Sequence, residues 1–207
     1  MPLRAQSSAV RIYAATKNTG KLAELRELFS PYGVEVLTWP AYAEPEETAD
    51  TYAGNAAIKA RSLFAQMNAA GARANVVADD SGLEIAALGG RPGVQSARYG
   101  GPKATWAERR VAILREVAAS GSSDRRARFV CVLWFIDADG RELSAEGVAE
   151  GELSRDERGQ LGFAYDPIFY DPSEHATYGE LAGVEKNKIS HRAKAVQNLM
   201  EQLNDAK

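Results

Sequence analysis

Apolar residues run together in several short segments that predict the strands of a sheet. Residues 10–15 predict a first strand, residues around Val34 and Val36, extending to Trp39, a second, and residues 76–78 a short buried one. Both alternating faces of 128–137 are apolar, which predicts a central strand that is covered on two sides. Asp139-Gly140 is a turn signal and predicts a hairpin into a return strand ending near Val148.

Apolar positions at helical spacing predict four helices between and after these strands. The first covers 22–29 and ends near Pro31, and the second covers about 51–69. A third runs to about residue 119 from the capping box of Thr105 and Glu108, and the last turns apolar positions 195, 196, 199 and 203 inward. Because strands and helices mix without strict alternation, we expect an α/β fold with a mixed sheet.

Length and charge narrow the class of protein. A chain of 207 residues suggests a short tail over 1–9, which we expect to be flexible, and one domain over 10–207. The net charge of −3 and the absence of a basic stripe predict no nucleic-acid partner, and no segment has the length and hydropathy of a membrane span. With Cys131 as the single cysteine and no signal peptide, a cytoplasmic enzyme or binding protein is expected.

A polar turn between the first strand and the first helix is the first candidate site. It consists of Thr16, Lys17, Asn18, Thr19, Gly20 and Lys21. Free backbone N–H groups at a helix N-terminus favour phosphate, and a lysine one turn into the helix adds a full charge. The turn is not a Walker A loop, since Ala15 and Leu22 replace a glycine and the metal-binding hydroxyl. A capped surface turn is the alternative.

Carboxylates form the second candidate site. Asp79 and Asp80 follow the strand at 76–78, and carboxylates at a strand end often face the ligand crevice of an α/β sheet. Adjacent strand residues point to opposite faces, so one of the two should face the site. Glu47 from an acidic loop could join Asp80 around Mg²⁺, and Lys59 lies on the next helix. The alternatives are a polar turn, a solvated acidic loop and a surface lysine.

Two segments near the end of the chain form the third candidate site. They contribute Phe163, Ala164, Tyr165 and Asp166, then Lys186, His191 and Arg192. Aromatic rings stack on bases, and the charged side chains can hydrogen-bond to the exocyclic groups of a base. A surface helix capped by Ser190 is the alternative for the second segment.

Taken in this order, the segments resemble the inosine/xanthosine triphosphate pyrophosphatase (Ham1-like) family, which acts on non-standard purine nucleotides. The matching motifs are Thr16/Asn18/Lys21, Glu47/Thr48/Asn55/Ala56/Lys59/Ala60, the block from Asp79 to Tyr99, Phe163/Tyr165/Asp166/Pro167/Ile168/Phe169 and Ser190/His191/Arg192. The resemblance covers nearly the whole chain after the first nine residues. Lys17 and Ala164 stand where the family usually has glycine, and Gly54 where it often has glutamate.

The resemblance implies an elongated mixed sheet with flanking helices forming two lobes around a cleft, a homodimer, and hydrolysis of a purine nucleoside triphosphate at the α-phosphorus. Glu47 and Asp80 would hold Mg²⁺, and Asp80 would also accept the proton of the attacking water. The Thr16–Gly20 backbone, Lys21 and Lys59 would hold the triphosphate, with Ser81 on a phosphate or sugar oxygen. Phe163 would stack on the purine, beside Ala164 and Tyr165, while Asp166, Lys186, His191 and Arg192 hydrogen-bond to its edge. A Maf-like pyrophosphatase and a non-catalytic nucleotide-binding module are the alternatives.

Overall fold

The computed structural model describes residues 10–205, which fold around one seven-stranded sheet with the order β2-β1-β3-β4-β5-β6-β7. The strands are β1 (Val10–Ala14), β2 (Val34–Leu37), β3 (Asn75–Ile85), β4 (Arg126–Ile136), β5 (Glu142–Leu153), β6 (Phe169–Asp171) and β7 (Ala176–Thr177). β1 pairs in parallel with β2 and β3, and every later pairing is antiparallel. The sheet is therefore mixed and β4 is central, as the sequence predicts. The tail expected at 1–9 lies outside the described residues.

Within residues 10–205, five helices flank the sheet. They are α1 (Thr19–Phe29), α2 (Tyr52–Ala69), α3 (Trp106–Ala119), α4 (Gly183–Ile189) and α5 (His191–Asp205). The capping box of Thr105 and Glu108 begins α3, which confirms the sequence prediction. The four predicted helices are confirmed, whereas the seven-residue α4 is an addition that the apolar pattern does not reveal. Short 3₁₀ turns lie at Ser30–Tyr32, Ala86–Leu88, Gly93–Gln95 and Asp166–Ile168.

Three strands, β2, β3 and β5, end two or more residues away from the predicted position. β3 does not end at residue 78 but continues to Ile85, so Asp79 and Asp80 lie in mid-strand rather than in a turn. The reason is that β4 pairs with β3 along its whole length and satisfies the backbone of these polar residues. For the same reason β5 runs past Val148 to Leu153 against β4. β2 ends at Leu37, before Trp39, where its pairing with β1 ends.

Three apolar clusters cover the two faces of the sheet. The first packs α1 and α5 on β1, β2 and the second half of β4, through residues such as Phe29 and Leu199. The second packs α3 on the far ends of β3, β4 and β5, and the third packs α2 on the opposite face. Full burial of a leucine or phenylalanine is worth about 1.5–3 kcal/mol, so these clusters hold the helices in fixed positions on the sheet.

A gap in the strand pairing along one edge of β3 leaves space for the site. The parallel pairing of β3 with β1 ends at Val77, whose carbonyl accepts from the Ala15 amide. Further along the same edge, the next backbone pairing among the described residues is the β-bridge between Glu84 and Pro92. Between these two points lie Asp79, Asp80, Ser81 and Gly82, without a neighbouring strand on that side.

Candidate active site

A cavity of about 500 Å³ opens along this gap in β3, within the range of about 300–1,000 Å³ that is usual for small-molecule sites. It is lined by the turn before α1, the 44–47 loop, β3, the 94–98 loop, the 163–166 turn, and residues of α4 and α5. All of the predicted site residues line it except Lys17, Thr19 and Gly20. Lys17 and Thr19 are exposed outside the lining.

The turn before α1 lines one part of the cavity. Asn18 is the N-cap of α1, and its side-chain oxygen accepts from the Lys21 amide at 3.1 Å. Thr16 Oγ1 accepts from the Asn18 amide at 3.1 Å, which fixes the turn. A Cβ on Gly20 would lie 3.0 Å from ring carbons of Phe163, so a glycine here lets the turn approach the aromatic wall. Backbone N–H groups and the Lys21 ammonium thus lie together at a helix N-terminus, which suits phosphate.

Asp79 and Asp80 point to opposite faces of β3, as strand alternation predicts. Asp80 lies on the α2 face, where Lys59 Nζ contacts its Oδ1 at 3.0 Å and Asn55 Nδ2 its Oδ2 at 3.4 Å. Asp79 lies on the α1 and α5 face and is fully buried. Of the two, Asp80 lines the cavity. This geometry agrees with the prediction that one carboxylate faces the site while the other bonds to structure, and the assignment of Asp80 to the site stays a prediction.

The carboxylates of Asp80 and Glu47 converge on one ammonium group. Lys59 Nζ lies 3.0 Å from Asp80 Oδ1 and 2.8 Å from Glu47 Oε1, and its side chain is 5% exposed, so it is not a surface lysine. Burial raises the pKa of Asp80 above its ordinary value, against the opposing charges of Lys59 and Lys21. A raised pKa suits a carboxylate that accepts a proton during a reaction.

These two carboxylates fit a magnesium ion. Mg²⁺ prefers oxygen ligands and is commonly bound by one or two carboxylates together with substrate phosphates and water. Glu47 and Asp80 both line the cavity and both lie within contact of a single cation, Lys59 Nζ. Within residues 10–205, no group of three or more His, Cys, Asp or Glu side chains is arranged to hold a metal ion.

Asp79 is held by cations from two helices. Lys21 Nζ lies 2.5 Å from Oδ1, and Arg192 Nε donates to Oδ2 at 2.7 Å. Ser81 Oγ and the buried Cys131 thiol also donate to this carboxylate, at 3.0 and 3.1 Å. Burial alone would raise the pKa of Asp79, but Arg192 and Lys21 hold it well below its ordinary value. Asp79 therefore stays ionised and anchors two cavity cations.

An aromatic ring and a buried ion pair line another part of the cavity. Asp166 Oδ2 lies 2.5 Å from Lys186 Nζ and accepts from the Phe163 amide at 2.7 Å. Lys186 Nζ lies 5.0 Å from the centre of the Phe163 ring. Burial raises the pKa of Asp166 above its ordinary value, although Lys186 opposes this. A flat apolar surface thus lies beside hydrogen-bonding groups of both signs, as recognition of a base requires.

Glu24 is a charged partner of two cavity residues that the sequence prediction misses. Its carboxylate accepts from Lys186 Nζ at 2.7 Å and from Arg192 Nη1. Glu24 thereby completes a continuous chain of side chains with alternating charge, which consists of Asp166, Lys186, Glu24, Arg192, Asp79 and Lys21. Glu24 lies three positions after Lys21, on the same side of α1. That spacing is the only signal in the sequence that could have indicated it.

Arg98 is a second missed residue. It lines the cavity, and its Nη2 lies 2.7 Å from Glu47 Oε2 while Nη1 donates to the Glu47 carbonyl at 3.2 Å. Burial would raise the pKa of Glu47, but Lys59 and Arg98 together lower it below its ordinary value. The loop that carries Glu47 is thus joined to the opposite wall of the cavity.

His191 and Tyr165 are buried rather than free in the cavity. The His191 ring stacks on Phe129 with centroids 4.6 Å apart, and its Nδ1 has no hydrogen-bond partner within the described chain. Burial, with Arg192 and Lys186 nearby, holds the pKa of His191 well below 6.5, so the ring is neutral. The Tyr165 hydroxyl donates to the Ser96 carbonyl at 2.7 Å, which leaves its ring edge as lining.

The helix that begins after Ser190 is also open, from its sequence alone, to interpretation as a capped surface helix. Ser190 Oγ accepts from the Ala193 amide at 3.2 Å and so caps the start of α5, as that alternative requires. Ser190, His191 and Arg192 are nevertheless buried, and the last two line the cavity. The cap therefore orients the two side chains inward.

None of the helices between residues 10 and 205 combines the length and apolar character needed to cross a membrane.

The fold and the cavity together define a class of protein. It is a mixed α/β protein whose cavity suits a phosphorylated ligand with a flat ring. One part of its lining offers a helix N-terminus and ammonium groups, and another an aromatic ring among hydrogen-bonding charges.

Comparison of the sequence with known proteins identifies the family. Residues 12–202 match the Ham1 family. The dITP/XTP pyrophosphatase of Coxiella burnetii is 43% identical over 201 residues, which cover 95% of this chain and 98% of that protein. The dITP/XTP pyrophosphatase of Geobacillus kaustophilus is 44% identical over 195 residues, covering 92% and 93% of the two chains.

Solved structures agree with this assignment. A HAM1 protein from Coxiella burnetii superposes with a TM-score of 0.84 at 42% identity, covering 95% of this chain and 99% of that one. The Ham1 protein of Staphylococcus aureus superposes with a TM-score of 0.80 at 33% identity, covering 95% and 100%. The chain belongs to the Ham1 family, and the resemblance seen in its sequence is confirmed.

Proposed function

We propose that this chain hydrolyses non-standard purine nucleoside triphosphates, namely ITP, dITP and XTP, to the monophosphate and pyrophosphate. The observation that carries the proposal is that one cavity brings these groups together. Phosphate-binding groups lie at the turn before α1, Asp80 and Glu47 lie in the lining, and Phe163, Lys186 and Arg192 line the same cavity. The names of the relatives from Coxiella burnetii and Geobacillus kaustophilus support the same substrate class.

Different residues bind the different parts of the substrate. The Thr16–Gly20 backbone, Lys21 and Lys59 hold the triphosphate, and Ser81 contacts a phosphate or sugar oxygen. Glu47 and Asp80 hold Mg²⁺, whose chemistry when bound is to withdraw charge from phosphate oxygens and lower the pKa of a nearby water. Asp80 accepts the proton of the water that attacks the α-phosphorus.

The hydrogen-bonding edge of the purine decides the substrate. Hypoxanthine and xanthine carry an acceptor oxygen at C6, where adenine carries an amino donor. Arg192 and Lys186 can only donate, and both are buried. Adenine would therefore set its own donor against these donors, and a mismatch of that kind can supply roughly 10⁴-fold discrimination. Guanine shares the C6 oxygen, so its rejection must arise elsewhere in the pocket.

A division into two lobes around the cleft, a homodimeric assembly and a cytoplasmic location accompany this function in our proposal. All three come from the sequence and its family resemblance, and they stay predictions.

A phosphate-release assay with added inorganic pyrophosphatase tests the proposal. With Mg²⁺ present, ITP and XTP should release phosphate in the presence of the coupling enzyme and ATP should release far less. Equal turnover of ATP and ITP would refute the substrate class. Turnover of modified pyrimidine triphosphates alone would favour a Maf-like enzyme, and absence of turnover a binding module.

A further inference from the structure

The turn that carries Phe163 has an unusual backbone. Gly162 has φ of +70° and Ala164 has φ of +54°, which is in the left-handed region that alanine seldom adopts. Asp166 Oδ2 accepts from the Phe163 amide at 2.7 Å, and the Asp166 amide donates to the Phe163 carbonyl at 3.1 Å. These two bonds close the turn but do not involve the strained residue, Ala164.

A side chain from α3 holds Ala164 from outside the turn. Arg110 Nη1 donates to the Ala164 carbonyl at 2.8 Å, while its Nη2 lies 2.9 Å from Glu157 Oε2. The Arg110 side chain is 15% exposed, so water competes weakly for this bond. A charged donor on a partly buried carbonyl is among the stronger protein hydrogen bonds.

The helix that carries Arg110 contacts the turn at a second point. Trp106, one turn earlier in α3, lines the cavity and meets the Tyr165 ring edge-on at a centroid distance of 5.3 Å. The Phe163–Asp166 turn therefore rests on α3 through a ring contact and through the Arg110 bond. Of these two, only the bond to the Ala164 carbonyl fixes the backbone conformation next to Phe163.

We propose that Arg110 is a positioning residue for nucleobase recognition, which holds Ala164 in its left-handed conformation and so fixes the Phe163 ring. The proposal rests on the proposed function, in which Phe163 stacks on the purine. Without Arg110 the alanine would relax toward negative φ, and the carbonyl and the adjoining ring would turn away. A glycine at position 164 adopts positive φ without strain, so it should hold the turn even when Arg110 is absent.

The experiment compares Arg110→Ala, Ala164→Gly and the double variant, with Glu157→Gln as the matched control. Arg110→Ala should raise KM for ITP about tenfold, as expected for loss of one strong hydrogen bond, and leave kcat within about threefold. The dissociation constant for IMP should rise in parallel, and that for pyrophosphate, which has no base, should not change. Adding Ala164→Gly should restore most of the affinity, whereas Glu157→Gln should stay close to wild type because it keeps the bond to Ala164.

A purely structural role for Arg110 would give a different pattern. It would lower kcat and the melting temperature together, weaken pyrophosphate binding and gain nothing from Ala164→Gly, and this result would overturn the proposal. If Arg110→Ala does not fold, Arg110→Lys is the second variant, because it keeps one donor. It should show the same changes in KM and in the dissociation constant for IMP, but smaller ones. A wild-type KM for ITP in Arg110→Lys would overturn the proposal.

Phe163→Ala separates this inference from the proposed function. If Phe163→Ala raises KM for ITP and Arg110→Ala does not, the positioning role is wrong while the base site stands. If neither variant changes KM for ITP, stacking by Phe163 is wrong and the positioning role fails with it. Wild-type protein that does not hydrolyse ITP would overturn the proposed function itself.

Discussion

Replacing Arg192 by alanine should destabilise the fold by several kcal/mol, because the guanidinium is one half of a buried ion pair. Its side chain is 2% exposed and donates Nε to Asp79 Oδ2 at 2.7 Å, and the Asp79 side chain is fully buried. Arg192 also donates to Ser81 Oγ and to Glu24. Removal of Arg192 leaves the buried Asp79 carboxylate with Lys21 as its remaining cation, and breaking a buried ion pair costs about 3–5 kcal/mol.

The effect can be measured by urea unfolding and by thermal melting, both followed by circular dichroism. At roughly 2–4 °C per kcal/mol for a chain of this size, the melting temperature should fall by about 6–20 °C. Adding Asp79→Asn should recover part of this loss, since a neutral side chain at position 79 no longer requires a cation.

Arg11→Ala is the matched control. Arg11 pairs with Glu35 at 3.0 Å, but the two side chains are 68% and 49% exposed. An exposed pair of this kind is worth about 0–1 kcal/mol. If Arg192→Ala costs no more than Arg11→Ala, or if Asp79→Asn adds its own full cost instead of recovering stability, the reasoning about the buried pair is wrong.

Three further predictions concern catalysis, base choice and pH. Asp80→Asn should keep the melting temperature close to wild type and lower kcat for ITP by ~10²–10⁴, the usual worth of a general base; a kcat above about a tenth of wild type would contradict its role. Arg192→Ala, assayed at a temperature where it stays folded, should lower kcat/KM for ITP far more than for ATP, and equal losses would remove Arg192 from base recognition. Because burial and neighbouring cations hold the pKa of His191 well below 6.5, the unfolded chain gains a proton below about pH 6.5 that the folded chain does not. The free energy of unfolding should therefore decrease below that pH, by up to about 1.4 kcal/mol per pH unit from this group, and His191→Gln should show a smaller slope.

Local patterns in the sequence predict most of the elements and much of the site. The capping box of Thr105 and Glu108 marks the start of α3, and apolar spacing marks α1, α2 and α5. Strand alternation predicts that Asp79 and Asp80 face opposite sides, because the side-chain period of a strand is the same in any sheet. These features depend on neighbours within a few positions, which the sequence shows directly.

Features that depend on distant partners could not be predicted. Asp79 and Asp80 resemble a turn in the sequence, and only pairing with Leu133 and Val132 of β4 keeps them in a strand. Glu24 lies 162 positions before Lys186 and joins it only when α1 packs beside α4. Composition and periodicity carry no information about such a pair.

Hydrolysis of ITP in H₂¹⁸O, with mass spectrometry of the products, tests the central claim most directly. Attack of water on the α-phosphorus, with Asp80 as the base, predicts IMP that carries the label and pyrophosphate that does not. No IDP should form at any time. Label in pyrophosphate would place the attack at the β-phosphorus, and IDP with labelled orthophosphate would show an ordinary nucleoside triphosphatase; either result would contradict the account.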